Sequence, residues 1–531
     1  MTKFRSAFLA VAWLSATTNM AFAQIGTGDP SAYLRCDGNP AHRSAGELLG
    51  RVLLLTATLG LAGRGEVQDV SKLAYGIDGV NACDAALLGE SDPIRKVQLM
   101  LARSIHHVEA KDYPAALEDA RTAPSLAGDA ANDIGFQHSL LVSSLELQAA
   151  SLVREGNFSE AEGMALRMAN TSPYDVIAQI RAIPYAQLTA ELTPEKQAYL
   201  DRLVKIFPEA LGIRAMAYQW AGKYPEAAAD YANIVDLRIG FSPDNNAPPP
   251  SPDVLALRSV MLALGGKIAE STDVAAETSA MVRVITASGK AGLMQSSIEV
   301  AEQALDFQAI VVELTAGHDS AARTKFAARS HWLVPATPAV ADLAARLRQD
   351  APAGDLIGPL ATNPAAMRTD GLVANAGALT AASNADVSLY TAIRPPMNAA
   401  TYNSWTDDVW DTKSSIFLHQ RTANDNYIGE LMVVPRTPGF FKPPHVITIA
   451  AGDALLMHSA LMAQTRGDKG FELFPGRRQL DALLIRFGNP GDPGMPPAAT
   501  FDAATVIADL SVEFPEPRAR GATGKSSEHA N

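Results

Sequence analysis

The densest group of carboxylates in the 531-residue sequence lies between two tryptophans, in the segment Trp405-Thr-Asp407-Asp408-Val-Trp410-Asp411. Carboxylate oxygens are ligands that Ca²⁺ accepts, and aromatic rings can stack on a flat ligand such as a sugar. The other interpretation is a surface loop that its two tryptophans anchor to the protein. The segment is therefore a candidate ligand loop, and nothing in the sequence pairs its carboxylates with a catalytic base.

Two adjacent histidines, His106 and His107, precede Glu109 and Asp112, which makes four possible metal ligands. Neighbouring residues on an α-helix point about 100° apart, so both imidazoles would not face one ion. We therefore expect one histidine to pack against a neighbouring helix and the other to face solvent. We expect no metal site.

A histidine followed by a serine, His458-Ser459, raises the question of nucleophilic catalysis. This pair lies inside a helical pattern and lacks the Gly-x-Ser-x-Gly turn that exposes a catalytic serine. The sequence also contains no Gly-rich phosphate loop, no HExxH motif and no paired-cysteine metal motif. We therefore expect no catalytic residue and no cofactor.

Residues 1–23 have the features of a secretory signal peptide. Lys3 and Arg5 form a basic start, residues 7–16 are apolar, and Ala21-Phe22-Ala23 offers a cleavage site. A membrane anchor is the alternative, but the apolar run is shorter than the ~20 residues of a spanning helix. We expect a periplasmic or secreted protein without a transmembrane anchor after leader removal.

The predicted export bears on the state of the two cysteines. Cys36 and Cys83 are the only cysteines in the chain. In an oxidising compartment two cysteines are expected to form a disulfide rather than stay as free thiols. The bond would stabilise residues 24–83 as an amino-terminal helical cap. A metal pair or a redox couple is the alternative, although the long separation and the missing CxxC turn weigh against it.

A loose motif recurs between helix-like stretches: a turn-forming residue, an aromatic two positions later, and alanine three positions after that. Its copies are Lys111-x-Tyr113-x-x-Ala116, Gly156-x-Phe158-x-x-Ala161 and Gly222-x-Tyr224-x-x-Ala227. Each copy predicts the turn of a helical hairpin, in which the aromatic and the alanine let two helices pack closely.

The fullest unit reads Ala215-x-x-Tyr218-x-x-x-Gly222-x-Tyr224-x-x-Ala227-x-x-x-Tyr231 and resembles a divergent tetratricopeptide repeat. Phe158 and Tyr224 are 66 residues apart, close to two repeats of ~34 residues. The resemblance implies a solenoid of helical hairpins that holds a partner on its surface. It predicts packing roles for the motif residues named above.

Composition divides the rest of the chain. Five prolines in residues 241–252 predict a linker or loop, and the Ala, Gly, Pro and Asn content of residues 351–384 predicts a second linker. The predicted parts are repeats at 84–240, further helical hairpins at 253–350, an α+β domain at 385–515 and a disordered tail at 516–531.

The α+β domain is predicted from short β-branched and aromatic runs around one helix. The predicted strands are 387–393, 415–419, 427–434, 471–474, 480–487 and 506–514. Asp453 is the expected start of the helix and Gly467 its end. The segment 454–471 is similar to a small bacterial envelope domain of unknown function. The fold class is therefore mainly α, a helical solenoid followed by a mostly antiparallel sheet.

The formal charge of −13 argues against broad binding of nucleic acid or anionic lipid. We expect an exported scaffold that binds a protein or peptide partner of basic or mixed charge in the bacterial envelope. An envelope-polymer hydrolase, or a carbohydrate-binding protein, acting through the α+β domain is the alternative. An assembly factor that self-associates through the repeats is a third hypothesis.

Overall fold

A computed structural model describes residues 32–40, 70–240, 251–288, 292, 294–382, 387–412, 419–422, 429–433, 444–473 and 482–517. The fold is mainly helical, with a small antiparallel sheet near the carboxy terminus, and this part of the predicted fold class is confirmed. Within these ranges, none of the helices combines the length and hydropathy needed to cross a membrane. The predicted leader, residues 1–23, lies outside the described residues.

Eleven helices in the described ranges precede residue 241. They are α1 Ala32–Asp37, α2 Gly76–Gly89, α3 Pro93–Glu109, α4 Tyr113–Thr122, α5 Ile134–Phe136, α6 Val142–Glu155, α7 Phe158–Thr171, α8 Val176–Ala182, α9 Pro194–Ile206, α10 Leu211–Trp220 and α11 Tyr224–Gly240. A π-helical turn, Gln137–Leu141, joins α5 to α6. Helices that follow one another pack side by side, notably α6 on α7 and α10 on α11.

The described chain continues with helices α12 Pro252–Leu264, α13 Ile268–Ala287, α14 Gln295–Thr315, α15 Asp319–Ala327, α16 Thr337–Arg348 and α17 Pro364–Ala382. Most of the linker predicted at 241–252 lies outside the described residues, and its last residue, Pro252, begins α12. The linker predicted at 351–384 is wrong as a whole, because α17 occupies residues 364–382 and packs on α16 and α6.

The carboxy-terminal part contains short helices, one long helix and five strands. The helices are α18 Val387–Tyr390, α19 Ala399–Tyr402, α20 Thr406–Trp410, α21 Pro444–Arg466 and α22 Ala503–Leu510, and the strands are β1 His419–Thr422, β2 Gly429–Val433, β3 Gly470–Leu473, β4 Ala482–Gly488 and β5 Phe501–Asp502. The strands pair antiparallel in the order β1-β2-β4-β3-β5.

Several predictions for this part are wrong. Residues 387–390 and 506–510 are helical where strands were predicted at 387–393 and 506–514. The long helix begins at Pro444, so Asp453 is a buried interior residue rather than its first cap. Residues 406–410 form a helix rather than a loop. Of the predicted disordered tail, residues 518–531 lie outside the described residues.

Side-chain caps set the starts of several helices. Asp92 Oδ1 accepts the N–H of Ile94 at 2.9 Å just before α3, and Thr193 Oγ1 accepts the N–H of Lys196 at 3.2 Å before α9. Proline follows each of these caps, where its fixed φ suits a first helical turn.

The three hairpin motifs coincide with tight turns between helices. Gly156 and Gly222 have φ of 82° and 71°, and Lys111 has φ of 62°. This left-handed conformation ends one helix and lets the next begin two residues later. Gly156 in this way separates α6 from α7, and Gly222 separates α10 from α11.

The sheet packs against both its own helix and the helical part of the chain. Phe471, Ile485 and Phe501 share a core with α21. Tyr174 and Ile206, from the helical part, belong to the same core. The helical and the α+β parts are therefore joined by a continuous apolar interface.

Candidate binding surface

Helix α17 contacts several other helices, and its first turn shows why it forms. Oδ1 of Asn363 accepts the N–H of Ala365 at 2.9 Å, and Pro364 takes the first helical position. Residues 367, 371, 375, 376 and 379 are spaced so that they lie along one face of the helix. This face contacts the rest of the protein.

The first half of α17 is held by Arg368. Its Nη2 donates to Oδ1 of Asp342 in α16 at 2.6 Å, and its Nη1 donates to the carbonyl oxygen of Trp220 at the end of α10, at 3.2 Å. The guanidinium lies 5.9 Å from the centre of the Trp220 ring. Arg368 therefore joins α17 to both α10 and α16.

Gly371 lets α17 approach these helices closely. A Cβ atom at this position would lie 3.0 Å from Cγ2 of Thr337 and 3.2 Å from Cη2 of Trp220. Gly377, on the same helix, would meet nothing within 4 Å. Gly371 therefore lies on the packed face of α17, and Gly377 lies on its open face.

The second half of α17 reaches the hairpin of α6 and α7. Nδ2 of Asn375 donates to the carbonyl oxygen of Gln187 at 3.1 Å. Ala376 is buried in a small core with Ala161 and Leu188, and Leu379 packs against that core. Helix α17 in this way spans the distance from α16 to the hairpin of α6 and α7.

An open cavity of about 690 Å³ adjoins this part of α17. Its lining comes from the hairpin turn 156–160, from residues 188–190 and from Leu372 of α17. Glu160 is exposed at this turn and lies 3.3 Å from Arg121. The cavity lining combines apolar and polar side chains with one acidic residue, Glu160.

The predicted packing residues lie mostly inside the protein. Ala116, Ala161 and Ala227 are fully buried, and Tyr224 and Tyr231 are buried as well. Tyr113, Phe158 and Tyr218 are partly buried and pack against the cores.

Tyr224 also contacts the residue that binds Arg368. Its hydroxyl donates to Asp342 Oδ2, and burial followed by this hydrogen bond raises the pKa of the phenol. Asp342 therefore connects a buried repeat residue to the surface helix α17.

The Cys36–Cys83 disulfide is confirmed and joins α1 to α2. Next to it, Nε2 of His106 lies 2.7 Å from the carbonyl oxygen of Cys36, and Nδ1 lies 2.9 Å from Oε2 of Glu109. His106 is fully buried and also contacts Tyr390.

These contacts give His106 a structural role. His107 is more exposed and lies near Asp112 and Asp119. Among the described residues, no group of three or more His, Cys, Asp or Glu side chains could hold a metal ion.

The pair His458 and Ser459 is buried inside α21. Nδ1 of His458 lies 2.9 Å from the carbonyl oxygen of Val409, and Oγ of Ser459 donates to the carbonyl oxygen of Leu455 at 2.7 Å. Both side chains are fully buried, so Ser459 does not face a substrate.

The two tryptophans of the acidic segment anchor it to the protein. Trp405 is buried, and Nε1 of Trp410 donates to the carbonyl oxygen of Phe514 at 2.9 Å. Asp407 and Asp411 are exposed. Partial burial, followed by the charges of Asp407 and Asp411, raises the pKa of Asp408.

The sequence analysis missed a buried polar cluster at the interface of the helical and α+β parts. It contains His138, Tyr402, Asp453 and Glu513. Nε2 of His138 lies 3.3 Å from Oε1 of Glu513, and the Tyr402 hydroxyl lies 2.8 Å from Oε2 of Glu513 and within hydrogen-bonding distance of Asp453. Its members are far apart in the chain, so no sequence motif indicated the cluster.

Burial dominates the electrostatics of this cluster. It raises the pKa of Asp453 to about 7, and the charge of Glu513 adds to the effect. Burial lowers the pKa of His138, but the hydrogen bond to Glu513 and the charge of Asp453 outweigh it and raise that pKa. Burial also raises the pKa of Tyr402.

Ser172 completes a serine, histidine and carboxylate chain, since its Oγ lies 3.0 Å from Nδ1 of His138. Such an order can activate a nucleophile when the hydroxyl is accessible. Ser172 is fully buried, His138, Tyr402 and Asp453 are buried around it, and Glu513 is partly exposed. The arrangement therefore ties two parts of the fold together rather than presenting a nucleophile.

No protein-family model matches this chain, and no curated protein is similar enough to match it. The candidate surface is defined by the residues of α17 and of the helices that it contacts. Of these, Gly156 and Phe158 carried a sequence signal, whereas Trp220, Asp342 and Arg368 did not.

Proposed function

We propose that this protein is an exported helical-repeat scaffold, a divergent relative of tetratricopeptide-repeat proteins, that binds a protein or peptide segment in the bacterial envelope. One observation carries the proposal: a helix, α17, contacts α6, α10 and α16 next to an open cavity. A surface that already holds one helical segment is suited to hold another.

Further features support binding rather than catalysis. The described serine and histidine pairs, Ser459 with His458 and Ser172 with His138, are buried and inaccessible to a substrate. The negative charge of the chain favours a partner of basic or mixed charge. Binding should therefore weaken as salt concentration rises.

Site-specific photo-crosslinking tests the proposal. A photoreactive amino acid at Ser159, an exposed residue that lines the cavity, is expected to give a discrete adduct in cells that export the protein. The matched control carries the same amino acid at Ala276, an exposed position on α13 away from the cavity lining.

The control should give no such adduct, and Glu160→Lys, which reverses an exposed charge of the cavity lining, should weaken the adduct from position 159. The proposal fails if positions 159 and 276 give the same products, or if position 159 gives none. Mass spectrometry of the adduct would also separate a different protein from a second copy of this chain.

A further inference from the structure

We infer that the surface beneath α17 is a docking site for a helix of the partner, and that α17 occupies this site when no partner is bound. The inference rests on the proposed function and names the class of partner segment. It is carried by the contacts of Arg368, Gly371 and Trp220.

The packing of α17 is light enough to be exchanged. Among residues 364–380 of this helix, Ala376 is the only buried side chain, and an alanine supplies little apolar area. The ion pair between Arg368 and Asp342 has side chains that are 28% and 27% exposed, and such pairs stabilise weakly. A competing helix with similar contacts can therefore replace α17.

Trp220 gives an independent indication of a ligand. The residue is 7% exposed, and its indole Nε1 has no acceptor among the residues that the structure describes. A buried N–H without an acceptor destabilises a protein. The same ring contacts Gly371 and Arg368 of α17, which do not satisfy this donor.

These contacts define the chemistry of the partner helix. It carries Arg or Lys to pair with Asp342, a small residue three positions later against Trp220 and Thr337, and small or apolar residues eight and eleven positions after the basic residue. The spacing copies Arg368, Gly371, Ala376 and Leu379 of α17.

A peptide-binding experiment with the full chain tests the inference. The probe is a fluorescent peptide of residues 364–382, and the proteins are the wild type, Gly371→Leu and Gly377→Leu. Leucine at 371 collides with Thr337 and Trp220 and should release the chain's own helix, whereas leucine at 377 meets open space. The docking site itself stays unchanged in both variants.

We expect Gly371→Leu to bind the peptide at least ten-fold more tightly than the wild type and Gly377→Leu. In the wild type and in Gly377→Leu, the chain's own α17 competes with the peptide for the docking site at a high effective concentration. A peptide with Arg368→Glu should lose at least ten-fold in affinity for Gly371→Leu. Equal peptide affinity for all three proteins would overturn the inference.

Hydrogen exchange of residues 364–382 accompanies each measurement, and Arg368→Ala in the chain serves as a second, less bulky variant. If α17 is released but the peptide does not bind, the docking site is refuted. If α17 stays in place in both Gly371→Leu and Arg368→Ala, the proposed replacement of α17 by another helix is refuted. These results are distinct from the photo-crosslinking result, because a protein can bind a partner at the cavity while α17 stays in place.

Discussion

Nε2 of His138 lies 3.3 Å from Oε1 of Glu513, and this contact joins the helical part of the protein to the carboxy-terminal end of the α+β part. Tyr402 and Asp453 complete the cluster, and Arg394 forms an ion pair with Asp175 beside it. Because these groups are buried together, their protonation affects the packing of both parts of the fold.

The cluster predicts that the protein is more stable in mild acid than in mild base. The pKa of Asp453 is raised to about 7, and the pKa of His138 is raised above its ordinary value. The folded protein therefore holds protons that the unfolded chain releases, and this stabilisation is lost as pH rises through about 7.

Urea unfolding between pH 5.5 and 8.5 measures this effect. The free energy of unfolding should fall with rising pH, by up to about 1.4 kcal/mol per pH unit for each group that titrates fully. Asp453→Asn should flatten the dependence, while the exposed Asp370→Asn should not. Glu472, whose pKa burial raises to about 7, adds a dependence of the same sign. An unchanged slope in Asp453→Asn would contradict the prediction.

Replacing two glycines of the hairpin of α6 and α7 by alanine should change the stability of the protein in opposite directions. Gly156 has φ of 82°, a conformation that disfavours a Cβ atom, so Gly156→Ala should destabilise the protein by about 1 kcal/mol. Gly163 lies within α7 and a Cβ there meets nothing within 4 Å, so Gly163→Ala should stabilise by roughly 0.5–1 kcal/mol. Chemical denaturation compares the pair, and shifts of the same sign would be evidence against the turn geometry.

Tyr224 should contribute to stability through its ring and its hydroxyl separately. It is 4% exposed and donates to Asp342. Tyr224→Ala should cost roughly 3 kcal/mol or more because it leaves a cavity, and Tyr224→Phe should cost about 1–2 kcal/mol because it removes one hydrogen bond. Thermal and urea unfolding of both variants measure these values. A fully stable Tyr224→Ala variant that lost its partner would instead make the ring a ligand-binding group.

The disulfide should stabilise the amino-terminal helices. Cys36 and Cys83 are 47 residues apart, and closing such a loop contributes roughly 4 kcal/mol through the entropy of the unfolded chain. Reduction should lower the melting temperature, and a Cys36→Ser, Cys83→Ser double variant should melt at the temperature of the reduced protein. Thiol labelling of the unreduced, denatured protein should find no free thiol, and two labelled thiols would refute the bond.

Local signals in the sequence located some elements and missed others. The hairpin turns at Gly156 and Gly222 were found because a left-handed residue followed by a helix leaves a short, regular pattern. Residues 506–510 belong to a predicted strand, 506–514, because their β-branched and apolar side chains suit either structure. Tertiary packing against α21 and the cap at Asp502 make them helical.

Helix α17 shows the limit of composition as a guide. Its glycines, alanines and asparagines indicated a linker, yet Asn363 caps it and Gly371 packs closely against Trp220. Small residues favour a linker when they are solvated and a close helix contact when a partner surface is present. Only the position of α10 and α16 decides between these outcomes.

The sequence by itself determined the helical hairpins, the small sheet and the cysteine pair, because these depend on periodicity, turn residues and cysteine count. The tertiary structure decided which side chains meet, since the contacts of Arg368 with Asp342 and of His138 with Glu513 join segments distant in the chain. It also set the raised pKa of Asp453, because burial and a neighbouring carboxylate exist only in the folded protein.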